Sequence, residues 1–143
     1  MVMSFAAAAA AIVLVGIPTW HDGDSGRIGR ERIRLAAVDA PELPGSPKCR
    51  GDRQVWSCSR KAARHAEQAR DRLRALTIGG VECRAEDRDL YERIVVLCRL
   101  PDGRDPSAML IREGLARPDM RFGGRRYLRD ELVARAGRRG VWR

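Results

Sequence analysis

Lysine is nearly absent from this chain. Of its 28 basic residues, only Lys48 and Lys61 are lysines, and the rest are arginines. Arginine suits bidentate phosphate contact better than lysine does, although GC-rich coding gives the same bias with no functional cause. Close cysteine pairs of the C-x2-C kind are also missing, which excludes the usual small zinc sites. There is no internal repeat. The longest apolar run, Phe5 to Ile17, has 13 residues, too short for a confident membrane-spanning helix. No lysine or arginine precedes that run, so the basic start of an export signal is lacking.

What is present points to one basic domain. The chain has 143 residues, 44% of them hydrophobic and 33% charged, with a formal net charge of +9 and an isoelectric point of about 10.6. Its length fits one domain with short tails. The charge favours an anionic partner: nucleic acid, a phosphate-rich surface or an acidic membrane. The apolar run of residues 1–19 reads as an export signal, as the first strand of the fold, or as both. An uncleaved anchor is the weaker alternative.

Cys49, Cys58, Cys83 and Cys98 form an even set in a small domain, the pattern of two disulfides made in an oxidising compartment. Four buried thiols in a cytosolic protein are the alternative. Of the three pairings, Cys49–Cys58 and Cys83–Cys98 is preferred. The second pair is symmetric about Leu90-Tyr91, as opposite residues of a hairpin would be.

Along the chain, Ile12–Trp20 reads as a strand running into the turn Asp22-Gly23-Asp24-Ser25-Gly26. Arg27–Arg32 reads as a return strand or a polar hairpin, and Ile33–Val38 as a strand that must end at Pro41. Leu43–Trp56, rich in Pro and Gly, reads as a loop pinned by Cys49 and Cys58. Ser57 or Ser59 caps a helix to about Leu76, with Ala62, Ala66, Ala69, Leu73 and Leu76 at helical spacing. Val81–Arg84 and Ile94–Leu100 are strands around a polar tip, Glu86–Glu92. Asp105 caps a helix that has Pro106 at its first position and Gly114 past its end. A last helix, Arg125–Arg138, should turn Leu128, Leu132 and Ala136 inward, and Trp142 should pack on the barrel. Strands in the first half with one helix between strands three and four suit a small OB-type barrel.

Three motifs occur in order: His21-Asp22-Gly23-Asp24-Ser25, then Arg34-Leu35-Ala36-Ala37-Val38-Asp39-Ala40-Pro41-Glu42, then Asp89-Leu90-Tyr91-Glu92-Arg93. Together they resemble the signature of the staphylococcal nuclease (thermonuclease) family, in particular its exported, cysteine-containing bacterial members. The resemblance runs from about Trp20 to Trp142, including Gly114-Leu115-Ala116 and the closing Gly-Val-Trp. It implies an α+β, mainly β fold: a five-stranded OB barrel with three helices occupying residues 20–143. It also implies a calcium-dependent endonuclease acting on DNA and RNA, leaving 3′-phosphate ends, monomeric, and periplasmic or secreted.

The same resemblance distributes the roles. Asp24 and Asp39 would be calcium ligands, with the backbone carbonyl of Ala40 a third; carboxylate and carbonyl oxygens are what that ion takes. Glu42 would be the general base for water. Arg34 and Arg93 would contact the phosphate and stabilise its transition state. Tyr91 and Phe122 would line the nucleotide pocket, Met120 and Phe122 standing near two family tyrosines.

Each residue alone has a plainer reading: a solvated turn aspartate, a strand-end cap, a surface glutamate, one exposed arginine among many. Alternation does not put Arg34 and Asp39 on one face, so the break near Pro41 must redirect the chain. Two departures matter. Ala40 replaces a threonine, and Glu92 replaces a glycine whose backbone angle a glutamate resists. The rival reading is therefore a catalytically weakened or inactive nucleic-acid-binding module. His21 is a poor calcium ligand, since that ion disfavours imidazole. The basic helix faces, Arg125, Arg126 and Arg129 among them, read as solvated surfaces or as tracks for a nucleic-acid backbone.

Overall fold

A computed structural model describes residues 11–51 and 55–143. Its main sheet has six strands: β1 (Val13–Gly16), β2 (Thr19–Trp20), β3 (Ser25–Ile28), β4 (Glu31–Leu35), β6 (Val81–Arg88) and β7 (Ile94–Arg99). Their spatial order is β1-β6-β7-β4-β3-β2. The two outer strands of that order, β1 and β2, are consecutive pieces of one segment, split at Ile17-Pro18. The first piece pairs with β6 and the second with β3. The sheet therefore curls onto itself, and counting β1 and β2 as one gives the five-stranded OB-like barrel. Closing a sheet removes the exposed edges that invite aggregation. A two-stranded ribbon, β5 (Val38–Asp39) with β8 (Arg117–Pro118), sits beside it.

The barrel interior holds Ile33, Leu35, Val81, Cys83, Ile94, Val96 and Cys98, all buried. The period-two alternation in β7 (buried Ile94, Val96 and Cys98) is the cause. Helix α1 (Arg60–Leu76) begins at Ser59, whose side chain accepts from the Ala62 amide at 3.0 Å. It buries Ala62, Ala66, Ala69 and Leu73, with Leu73 joining the barrel core and Leu76 half-buried at its edge. Small alanines let it approach the sheet closely, and Trp20 bonds through its indole N–H to Thr77 at the helix end, 2.9 Å away. Helix α2 (Pro106–Arg112) starts at the expected Asp105 cap. Gly114 after it has φ of +75°, the left-handed angle that suits glycine.

Several expectations need correction. The strand read as Ile12–Trp20 breaks at Ile17-Pro18 into β1 and β2, and the one read as Val81–Arg84 runs on to Arg88 as β6, so the first part of the expected polar tip is strand. The strand read as Ile33–Val38 stops at Leu35. The chain turns at Ala36-Ala37, where Ala37 has φ of +63°, and restarts as β5. This turn supplies the redirection that alternation could not. The last helix, α3 (Leu128–Ala136), is shorter than expected and rolled the other way. Leu128 and Leu132 are exposed, at 39% and 64%, and Ala136 is exposed too, while Ala134 is buried. Tyr127 sets this roll: buried, it donates its hydroxyl to Asp105 Oδ2 at 2.6 Å. That anchors the 127–131–134 face inward, one residue out of step with the leucines.

Cys49 pairs with Cys58 and Cys83 with Cys98. Cys83 and Cys98 are direct partners across the β6–β7 hairpin. Two such bonds call for an oxidising compartment. Among the described residues no helix is long and apolar enough to cross a membrane. The two loops close over 9 and 15 residues, so each bond contributes about 3 kcal/mol by the chain-entropy estimate. Oxidised protein should give no titratable thiol, and reduction should lower the melting temperature by more than about 10 °C. Free thiols in the isolated protein, or an unchanged melt, would refute this.

Candidate active site

The Asp22-Gly23-Asp24-Ser25 turn is wound by its own first aspartate. Asp22 Oδ1 accepts from the Asp24 amide at 3.1 Å, the Ser25 amide at 2.8 Å and the Ser25 hydroxyl at 2.8 Å. This is an Asx turn, a local side-chain substitute for a backbone bond. Gly23 is required by space: a Cβ there would lie 2.7 Å from Ala40 Cβ and 2.8 Å from Ala69 Cβ. The turn is thus wedged between α1 and the end of β5. Asp24 is left buried, 2% exposed, facing that strand end.

Three elements meet at Asp24. Its Oδ2 accepts from the Ala40 amide at 2.9 Å and lies 2.9 Å from Arg34 Nη1. Arg34 Nη2 donates to the Val38 carbonyl at 3.0 Å and reaches 3.8 Å from Asp119 Oδ2. Arg34 Nη1 is buried against the Asp24 carboxylate, which is its partner.

Asp39 is half-buried one residue before Ala40, and Trp56 Nε1 donates to its Oδ2 at 2.6 Å. Burial, then the neighbouring acid or acids, push both carboxyls up: Asp24 to about 6 and Asp39 to about 6, against an ordinary 3.8, with Arg34 pulling each down in part. The cost of charging them is absent below pH about 3.8 and complete above about 6.

These groups fit a hard cation. Asp24, Asp39 and the Ala40 carbonyl would supply only oxygen donors, the kind calcium takes. Among the described residues no group of three or more His, Cys, Asp or Glu side chains converges as a ready-made metal cage.

The other expected residues are placed less directly. Glu42 is buried, but its carboxylate accepts from the Ser46 hydroxyl at 3.0 Å and lies 3.4 Å from Lys48 Nζ. The loop that Cys49–Cys58 pins therefore holds it. Arg93 follows a tight turn in which Asp89 accepts from the Tyr91 and Arg93 amides at 2.9 Å each, and from Arg93 Nε at 2.6 Å. Burial opposes ionisation of Asp89, yet the hydrogen bonds from Arg93 and Tyr91 and the Arg93 charge hold its carboxyl below the ordinary carboxylate range. Parallel pairing sets Arg34 beside Val95 and Ile33 beside Ile94, which puts Arg34 and Arg93 on one face of adjacent strands. Tyr91 and Phe122 are exposed, at 65% and 71%. Arg93 covers the Tyr91 ring at 5.4 Å and Arg121 the Phe122 ring at 5.6 Å. His21 is exposed.

Three residues of the site carried no motif. Trp56 holds Asp39. Arg117, opposite Asp39 across β5–β8, stacks on Trp56 at 4.5 Å and on Trp142 at 4.2 Å, and Arg135 covers Trp142 at 4.1 Å. So Trp142 packs on this arginine stack. Asp119 is buried and faces Arg34, and its amide is fixed by the Ala37 carbonyl at 2.9 Å. Only the oddity of tryptophan beside a cysteine loop could have flagged Trp56.

A curled five-stranded barrel with a buried acid–arginine cluster at one turn defines a thermonuclease-like class of domain. The chain belongs to the staphylococcal nuclease homologue family, whose model matches residues 32–143. That stretch contains Arg34, Asp39, Glu42 and Arg93, and Asp24 lies just before it. The chain is also similar to the succinoglycan biosynthesis protein ExoI of Rhizobium meliloti, 29% identical over 137 residues, covering 95% of this chain and 68% of that one.

Glu92 takes φ of +61° at the end of the Asp89–Arg93 turn, the angle a glycine adopts freely and a glutamate only at a cost. Glu92→Gly should therefore stabilise the protein by roughly 0.5–1 kcal/mol in urea unfolding. A destabilised variant would show that Glu92 makes a compensating contact.

Proposed function

We propose that this protein is a calcium-dependent endonuclease that hydrolyses phosphodiester bonds of DNA and RNA and leaves 3′-phosphate ends. The observation that carries the reading is the clustering of Asp24, Asp39 and Arg34 at one end of the barrel, two acids that burial pushes up to about 6 beside a guanidinium. Asp24, Asp39 and the Ala40 carbonyl would hold the calcium ion, which when bound supplies Lewis acidity toward phosphate and water. Arg34 and Arg93, on one sheet face, would bind the phosphate and stabilise charge building on its oxygens. Glu42 would take the proton of the attacking water, which requires its carboxylate to leave Lys48. Tyr91 and Phe122, both exposed rings, would stack on bases. Contacts to phosphate position a substrate without reading it, so sequence preference should be loose.

The disulfides support a periplasmic or secreted enzyme. β1 belongs to the barrel, so any cleaved leader would end before Val13 within residues 1–19, and the working domain would be residues 20–143 with that strand. We take it to act as a monomer.

The Glu92 backbone angle and the closed Asp24–Arg34 pair favour one rival: a weakened or inactive nucleic-acid-binding module. A single assay separates the two. Purified protein should degrade single-stranded DNA with calcium and stop with a chelator. Cleavage undiminished by chelation would remove the metal assignment, and binding without cleavage would leave the rival. Arg93→Ala should keep the fold and lower turnover by about 10²-fold or more.

Trp56→Phe keeps a ring for Arg117 but removes the N–H that holds Asp39. Calorimetry should show calcium affinity weakened by about 10-fold with the fold intact, as loss of an outer partner usually does. Unchanged affinity would make Trp56 a packing residue only.

A further inference from the structure

Arg27 on β3 and Arg32 on β4 are direct cross-strand partners, so their side chains share one face. Both are exposed. Like charges placed directly opposite on antiparallel strands destabilise a sheet. Among the described residues neither arginine has a carboxylate within ion-pair distance. Arg32 donates one N–H to the Tyr91 carbonyl, and Arg27 is left to solvent.

The row continues. The parallel β4–β7 register pairs Ile33 with Ile94, so the residues before them, Arg32 and Arg93, are also neighbours. Arg27, Arg32 and Arg93 line one cleft of about 410 Å³ with Ser25, His21 and Trp20. Ser25 is the cross-strand partner of Arg34. Two parallel rows therefore run side by side on this face: Ser25–Arg34, next to the acids, and Arg27–Arg32–Arg93, one residue pair farther out.

We propose that the Arg27–Arg32 pair is a phosphodiester subsite for the segment of single-stranded nucleic acid flanking the cleaved bond. It rests on the reading of this face as a nuclease site, and it extends the path of the strand from Arg34 and Arg93 out to Arg27. An anion between the two guanidiniums would relieve the repulsion that the bare sheet carries. A single strand suits the site, because a basic groove that tracks one backbone needs no base readout. Neither Arg27 nor Arg32 belongs to the catalytic set.

The test uses the full chain in chelator, so that no hydrolysis occurs, and a fluorescein-labelled thymidine decamer as probe. Anisotropy titrations run from about 50 to 200 mM salt, a range over which phosphate contacts weaken steeply. Arg27→Gln/Arg32→Gln should weaken binding by on the order of 10-fold at low salt. It should also lower the steepness of the salt dependence by about 1.4, the value for two lost phosphate contacts on a single strand. The melting temperature should stay level or rise, since a like-charge pair is removed. Arg84→Gln/Arg104→Gln removes the same charge elsewhere, at two exposed arginines, and should leave the slope nearly unchanged.

Equal losses in both variants would reduce the effect to net charge and overturn the subsite. Unchanged binding, or weakened binding with a lower melting temperature, would overturn it as well. Failure of the nuclease reading is distinct: no cleavage by the unaltered protein with calcium, while the decamer still loses affinity in the Arg27→Gln/Arg32→Gln variant. In that case the subsite stands and hydrolysis falls.

Discussion

The hydrogen bond from the Ala40 amide to the Asp24 carboxylate is the contact on which the site depends. It joins a turn between strands to a strand end 16 residues later. Without it, Asp39 and the Ala40 carbonyl would have no fixed relation to Asp24. The packing around it leaves little freedom, because Gly23 lies flush against Ala40 and Ala69. Helix α1, the Asp22–Ser25 turn and β5 are thereby locked as one unit. The cost is a buried carboxylate that resists ionisation, and Arg34 offsets part of that cost by Coulomb attraction.

A second set of contacts runs from this centre to the C-terminus. Asp39, Trp56, Arg117, Trp142 and Arg135 touch in sequence, and Glu131 closes the chain on Arg135 at 3.0 Å. Guanidiniums over aromatic faces are attracted by the ring quadrupole, more so when water is excluded. The Cys49–Cys58 bond ties the loop that carries Trp56 at its end. An acid beside the site is thus held by residues from the disulfide loop, β8, α3 and the last turn. Removing the C-terminal tryptophan would be felt at Asp39 through Trp56.

The net charge is not spread evenly in its effects. Many arginines are neutralised on the surface, as in Arg72–Glu113, Arg104–Asp102, Arg126–Glu86 and Arg135–Glu131. Exposed pairs of this sort contribute little to stability. Arg27 and Arg32 on the β3–β4 face are different, because the sheet register fixes them next to each other and, among the described residues, no acid pairs with either. Composition alone could report the excess charge but not where it concentrates.

Most elements were legible locally. Ser59 and Asp105 as helix caps, Gly114 after α2, the alternation of β7 and both disulfides follow from near-neighbour chemistry in the chain. The strain at Glu92 was also readable, because a turn that wants glycine asks the same angle of whatever replaces it. The roll of α3 was not. Its leucines obey helical spacing, but Tyr127 reaches Asp105 on another element and turns them outward. The halt of β4 at Leu35 was equally hidden, since nothing in Leu-Ala-Ala-Val announces a left-handed alanine.

The sequence by itself determined which chemistry is available: acids, arginines and cysteines in a fixed order, with the turns and caps that local hydrogen bonding dictates. Only the tertiary structure decided which of them meet. Asp24, Arg34, Asp39, Trp56 and Asp119 come together because sheet closure and the packing of α1 juxtapose segments far apart in the chain, and such long-range contacts leave no periodic trace in it.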